Sequence, residues 1–174
     1  GTIKFLPEQI KNYKFIKKNI GVVNNETNIR FENWVKNNTP NNNSLIGQID
    51  IEGDEYKLIL DTPLETFKNF KILIIEFHYL NKIGNNLIYE FYYEAIKKLL
   101  SKFNIFHVHI NNAESPLYIR DIMMPPLLEV TFLRNDFYKN GLKKINIPNE
   151  LDQKNVVSRE EIGFNKIWKE ILLD

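Results

Sequence analysis

Apolar positions along the chain follow two periods. Residues 71–77, KILIIEF, are a nearly continuous apolar run between polar loops, which predicts a strand buried on both faces and therefore a parallel sheet covered by helices. Residues 87–103 set Leu87, Ile88, Phe91, Ala95, Ile96, Leu99, Leu100 and Phe103 on a helical stripe, the strongest helix signal in the chain. NIFHVHI, 104–110, then predicts a strand with Phe106, Val108 and Ile110 on one face and His107 and His109 on the other. LLEVTFLR, 127–134, predicts another.

Weaker patterns fill the rest. YKFIKK, 13–18, and SLIGQIDI, 44–51, read as strands, the first closed by Gly21 and an Asn-rich stretch. Residues 29–37 suggest a short amphipathic helix with Ile29, Trp34 and Val35 inward, and 39–43, TPNNN, a loop. DEYKLILDT, after Gly53, starts with acidic residues that suit a helix N-terminus and turns Leu58 and Ile59 inward. A closing helix is expected at 158–173, docking through Ile162, Ile167, Trp168, Ile171 and Leu172. Alternation of strand and helix up to residue 110 implies a parallel α/β sheet. The last two strands are joined by a Pro-rich loop instead of a helix, so they are expected to run antiparallel. The division of the chain follows: an α/β domain over 1–135 and a polar extension over 136–174.

Composition narrows the chemistry. In 174 residues, 23 Lys and Arg face 22 Asp and Glu, a net charge of +1 that argues against nucleic-acid binding by overall charge. With no Cys there is no disulfide, thiolate zinc site or cysteine nucleophile. No apolar window is long enough for a membrane span and no signal peptide precedes the first element, so the expected location is cytoplasmic. The seven Gly are scattered, which removes GxGxxG and Walker loops, and no GxSxG is present.

In open α/β sheets ligands bind at the carboxyl ends of strands. Those ends carry Asp50 and Glu52, then Glu76 and His78, then His109, Asn111 and Asn112. If the strands are neighbours, Asp50, Glu52, His78 and Asn112 converge on one rim, where they can hold a cation, take a proton from a hydroxyl or bind a sugar. Blander accounts stand beside this one. Asp54 and Glu55 are good helix caps, His107 suits a hydrogen-bonded structural role, and neighbouring Asn residues are common in an Asn-rich chain. Lys11 to Lys18, interleaved with Tyr13 and Phe15, reads as a solvated edge sooner than a basic binding patch.

Four segments in order, IDIEGDEYKLIL at 49–60, IIEFH at 74–78, FHVHINN at 106–112 and PPLLEVTFLR at 125–134, resemble the FkbM-like class of S-adenosylmethionine-dependent methyltransferases. The resemblance spans roughly residues 13 to 135. It implies a Rossmann-like class I methyltransferase sheet, mostly parallel, with its seventh strand antiparallel between neighbours. YKFIKK would be the third strand, LIGQIDI the fourth, KILIIEF the fifth, and NIFHVHI and LLEVTFLR the sixth and seventh.

The resemblance further implies S-adenosylmethionine as cofactor and a sugar or glycan hydroxyl as acceptor, while charge and hydropathy leave no nucleic-acid or membrane partner expected. Asp50 and His78 would be catalytic, Gly21 and Asp50 would face the cofactor, and Glu52, His109, Asn111 and Asn112 would face the acceptor. Apart from the resemblance, no metal is expected, and the residues that offer themselves to a divalent cation are Asp50 with Glu76 or Glu52. The family's first two strands and glycine-rich donor loop should precede Gly1, so the chain is expected to be the carboxyl-terminal part of such an enzyme, with an oligomer or an upstream domain covering the open sheet edge. Two further classes stay open. One is a degenerate domain that binds a glycan or a protein without catalysis; the other is a metal-dependent hydrolase on Asp50, Glu52, His78 and His109.

Overall fold

The computed structural model describes residues 14–39, 44–119, 121–137, 148–166 and 168. Its centre is a four-stranded mixed sheet, backed on one face by helices.

The sheet contains β3 (Leu45–Ile49), β4 (Phe70–His78), β5 (Phe103–Ile110) and β8 (Leu127–Arg134) in the order β3-β4-β8-β5. β3 and β4 are parallel, with Ile49 opposite Ile75, and β8 runs antiparallel to both β4 and β5. The expected antiparallel relation of the last two strands is therefore present, and β8 lies between the other two. Gly47 makes the β3–β4 approach possible, because a Cβ there would stand 2.7 Å from the Phe70 ring.

Side chains alternate across β4. Leu73, Ile75 and Phe77 point to the helical face with Phe132, Val130 and Leu128 of β8, all buried. They meet α2 (Glu55–Asp61) and α4 (Asn86–Leu100). α2 contributes Tyr56, Leu58 and Ile59, each at most 1% exposed, with Tyr56 stacked 3.6 Å from Tyr92 of α4. α4 begins at Asn85, whose side chain accepts from the amides of Leu87 and Ile88. Two short helices, α1 (Phe31–Asn38) and α3 (Leu64–Phe67), meet through the rings of Phe31 and Phe67, and Phe31 also stacks on Phe70 of β4.

Several expectations require correction. Residues 14–18 form no strand; β1 (Asn19–Gly21) instead pairs in parallel with β2 (Asn28–Arg30) in a two-stranded ribbon separate from the main sheet. The stripe of α4 is narrower than its sequence suggests. Tyr92, Ala95 and Leu99 are buried, whereas Leu87 is 82% exposed and Phe91 and Leu100 are also exposed, because one helix face meets α2 and the sheet while the adjoining face is left largely open by the described residues. Phe106 leaves the face of Val108 and Ile110, since the β5–β8 register shifts between Ile105 and His107 and pushes the intervening residue outward. The Pro-rich loop holds a small antiparallel hairpin, β6 (Leu117–Ile119) and β7 (Ile122–Met124).

Residues 158–165 are not helical; Lys166 and Trp168 are, and the remaining positions of the expected closing helix lie outside the described residues, as do Tyr13 and TPNNN beyond Thr39. Docking still occurs, through buried Phe164 and partly buried Ile162 and Trp168, with the Trp168 indole donating to the carbonyl of Met123 at 2.5 Å. Among the described residues no helix is long and apolar enough to cross a membrane.

Candidate functional site

β3 ends at Ile49 and β4 at His78, and the chain leaves both at the same rim of the sheet. Past Ile49 the chain turns sharply, with Glu52 at φ 58° and Gly53 at φ 108°. The Gly53 backbone lies against the Tyr79 ring, which a Cβ at that position would meet at 2.5 Å. Tyr79 is itself left-handed, at φ 60°, and its ring carries the Lys82 ammonium 3.8 Å from the centroid.

This turn sets Glu52 back toward β4. His78 Nε2 lies 3.5 Å from Glu52 Oε2 and 3.8 Å from Asp50 Oδ1. One ligand-type atom from each of the three residues lies within 4.8 Å of the others. The carboxylates are outer groups, with side chains 46% and 86% exposed, while the His78 side chain is 7% exposed.

Glu55 stands behind the imidazole. Its side chain is fully buried, and Oε1 accepts from the amides of Ile51 and Gly53, both at 3.0 Å, which fixes the turn. The same oxygen is 3.1 Å from His78 Nδ1, but the pair is not aligned as a hydrogen bond, and neither Nδ1 nor Glu55 Oε2 has a hydrogen-bond partner among the described residues. The Tyr56 hydroxyl donates to the carbonyl of His78 at 3.0 Å, anchoring that backbone; burial pushes its pKa up, so it stays protonated.

Glu76 faces the opposite side of the sheet from Phe77 and accepts a 2.5 Å hydrogen bond from Asn111. Its pKa is raised, chiefly by burial, with Asp50 adding like charge and the Asn111 bond opposing. Asp50, Glu52 and His78 thus converge, and Glu76 and Asn111 form an adjoining pair.

The other candidates lie elsewhere. Gly21 belongs to the separate ribbon, and a Cβ there would meet nothing within 4 Å, so it does not cradle a cofactor by close approach. His109 bonds Glu129 at 3.3 Å and Glu161 at 2.8 Å, and is not a member of the Asp50 cluster that a four-residue hydrolase site needs. Asn112 clasps the segment after Pro148, accepting from the amide of Val156 and donating to the carbonyls of Val156, Arg159 and Glu160. His107 has the structural partner expected of it, Asp152 at 2.7 Å.

Sequence reasoning gave Glu55 only as a helix cap and gave Tyr56 and Tyr79 no role. The signal available was local: an acidic residue two positions after a Gly turn can reach back to that turn's amides. No protein-family model, curated protein or solved structure matches the chain.

Proposed function

We propose that the chain is part of an S-adenosylmethionine-dependent O-methyltransferase acting on a sugar or glycan hydroxyl. The observation that carries this reading is the meeting of Asp50 and His78, 3.8 Å apart, at the carboxyl ends of two adjacent parallel strands. The order β3-β4-β8-β5, with β8 antiparallel, supports it as well, because that is the relation the resemblance implies for the last four strands of such a sheet.

On this reading the rim handles the acceptor. A hydroxyl entering between Asp50 and His78 is oriented by charge-assisted hydrogen bonds, and its proton passes to that pair. Holding the oxygen in line supplies a large part of the rate in a two-substrate displacement. Gly21, the residue expected to face the methyl donor, lies in the separate β1–β2 ribbon with nothing within 4 Å of where a Cβ would stand, so it offers the donor no close cradle. The described residues are assigned the acceptor side alone.

That same feature favours a second reading, a non-catalytic glycan- or protein-binding domain with this rim and no donor. The test is transfer of labelled methyl from S-adenosylmethionine to a panel of glycans by the natural gene product. Asp50→Asn and His78→Ala are expected to lower the rate by at least about 100-fold. A rate that both variants leave unchanged refutes the site, and glycan binding without any transfer selects the second reading.

A further inference from the structure

His78 separates the rim of β3 and β4 from an ordinary patch of surface acids. It is a buried imidazole whose Nε2 is directed at Asp50 and Glu52, at 3.8 and 3.5 Å, distances too long for strong hydrogen bonds. Its Nδ1 faces the sealed carboxylate of Glu55 at 3.1 Å and has no hydrogen bond among the described residues. A metal-ligating histidine donates its second ring N–H to a carboxylate, and Glu55 Oε1 stands 3.1 Å from Nδ1, where a turn of the ring toward an ion would bring the two into line.

The geometry points to a divalent transition-metal cation of the Zn2+ or Mn2+ kind, held by Asp50, Glu52 and Nε2 of His78, with Glu55 as the inner carboxylate beside Nδ1. Ligand atoms each about 2.1 Å from one ion lie roughly 3 to 3.5 Å apart at right-angled to tetrahedral geometry. The spacings of 3.5 and 3.8 Å to His78 are near this size, and both carboxylates are exposed enough to rotate inward. A nitrogen ligand favours transition metals over Mg2+ and Ca2+, which prefer oxygen alone. Three protein ligands on a solvent-facing rim leave a position open for water or an alcohol oxygen. The use of the ion rests on the methyltransferase reading, since a cation beside the acceptor lowers the pKa of its hydroxyl; the binding does not.

Binding is measured without any reaction, by electron paramagnetic resonance of free Mn2+ and by Zn2+ calorimetry on the whole chain. One equivalent is expected, held at least about ten-fold more tightly than Mg2+. Asp50→Asn and Glu52→Gln alter exposed side chains and should each weaken it about ten-fold or more, while His107→Gln, in the other histidine-carboxylate cluster, should not. Mn2+ should broaden the imidazole NMR signals of His78 before those of His107 and His109. No saturable binding, binding indifferent to Asp50→Asn and Glu52→Gln, or earlier broadening at His107 or His109 overturns the proposal. Metal binding without methyl transfer to any glycan upholds the cation site and counts against the reaction alone.

Discussion

Oε1 of Glu55 lies 3.1 Å from Nδ1 of His78, and both side chains are sealed behind the exposed carboxylates of Asp50 and Glu52. The inner carboxylate is fixed by the turn that connects β3 to α2, through the amides of Ile51 and Gly53. The imidazole is fixed by its place at the end of β4, whose carbonyl Tyr56 holds from α2. Position at the rim is therefore determined by backbone on both sides.

Removing Glu55 should cost more than a surface carboxylate would. Glu55→Ala leaves the amides of Ile51 and Gly53 without their acceptor, and an unsatisfied buried donor costs about 1 to 3 kcal/mol. A loss of roughly 2 to 4 kcal/mol is expected in urea unfolding. Glu55→Gln keeps an acceptor oxygen and should lose clearly less. Equal losses for the two variants would show that the turn does not depend on this oxygen.

Gly53→Ala combines two faults, a left-handed φ of 108° and a Cβ placed 2.5 Å from the Tyr79 ring. Backbone strain of this kind costs about 1 to 3 kcal/mol. Tyr79→Ala in the same chain should recover the part due to the clash and leave the strain. Thermal unfolding of the two singles and the double measures the split, and full recovery would mean that φ is not strained there.

How much was legible follows from where each signal came. KILIIEF and LLEVTFLR are mostly apolar with only scattered polar positions, so β4 and β8 were readable to within a residue of their ends. The bulge at Phe106 and the choice of face on α4 were not, because both are set by partners distant in sequence: the β5–β8 register shift and the position of α2. YKFIKK satisfies strand composition, yet pairing falls on 19–21, where β2 supplies a partner. The rim itself was legible as Asp50, Glu52 and His78, since strand ends on adjacent parallel strands must meet. Glu55 was obscured by its second identity as a helix-start acid, and the meaning of His109 and Asn112 depended on a segment 44 to 52 residues away.

Asn112 holds that segment through its amide. Asn112→Ala removes the acceptor of the Val156 amide and the donor to three carbonyls around 156–160. Net loss is expected at about 1 to 3 kcal/mol, confined to the docking of this segment. Amide exchange of Val156 should accelerate roughly ten-fold or more while Ile75 in the centre of β4 is unchanged. Parallel acceleration at both sites would mean that the segment and the sheet open as one unit.

His109 makes the docking pH-dependent. The hydrogen bond that His109 donates to Glu129 raises its pKa most, the one it donates to Glu161 and the nearby Asp152 charge add to this, burial opposes them, and the result is about 9 against an ordinary 6.5. A histidine whose folded pKa is raised contributes stability that is complete below its unfolded pKa and is lost as pH climbs through the folded one. The window is therefore about pH 6.5 to 9, and the most this residue can contribute is about 3 kcal/mol. Glu129 answers on the acid side: its pKa is lowered, first by the same bond to His109, so its share is present above the usual carboxylate range and fades as pH falls through the depressed value. Since His109 bridges β8 to Glu161, deprotonation should loosen residues 155–161 before the sheet. His109→Gln should be less stable than the natural protein at pH 6.5 and close to it at pH 9.5. Unfolding midpoints taken across that range, with amide exchange at Val156, check it; identical pH slopes for the two proteins would show that His109 does not couple to the segment.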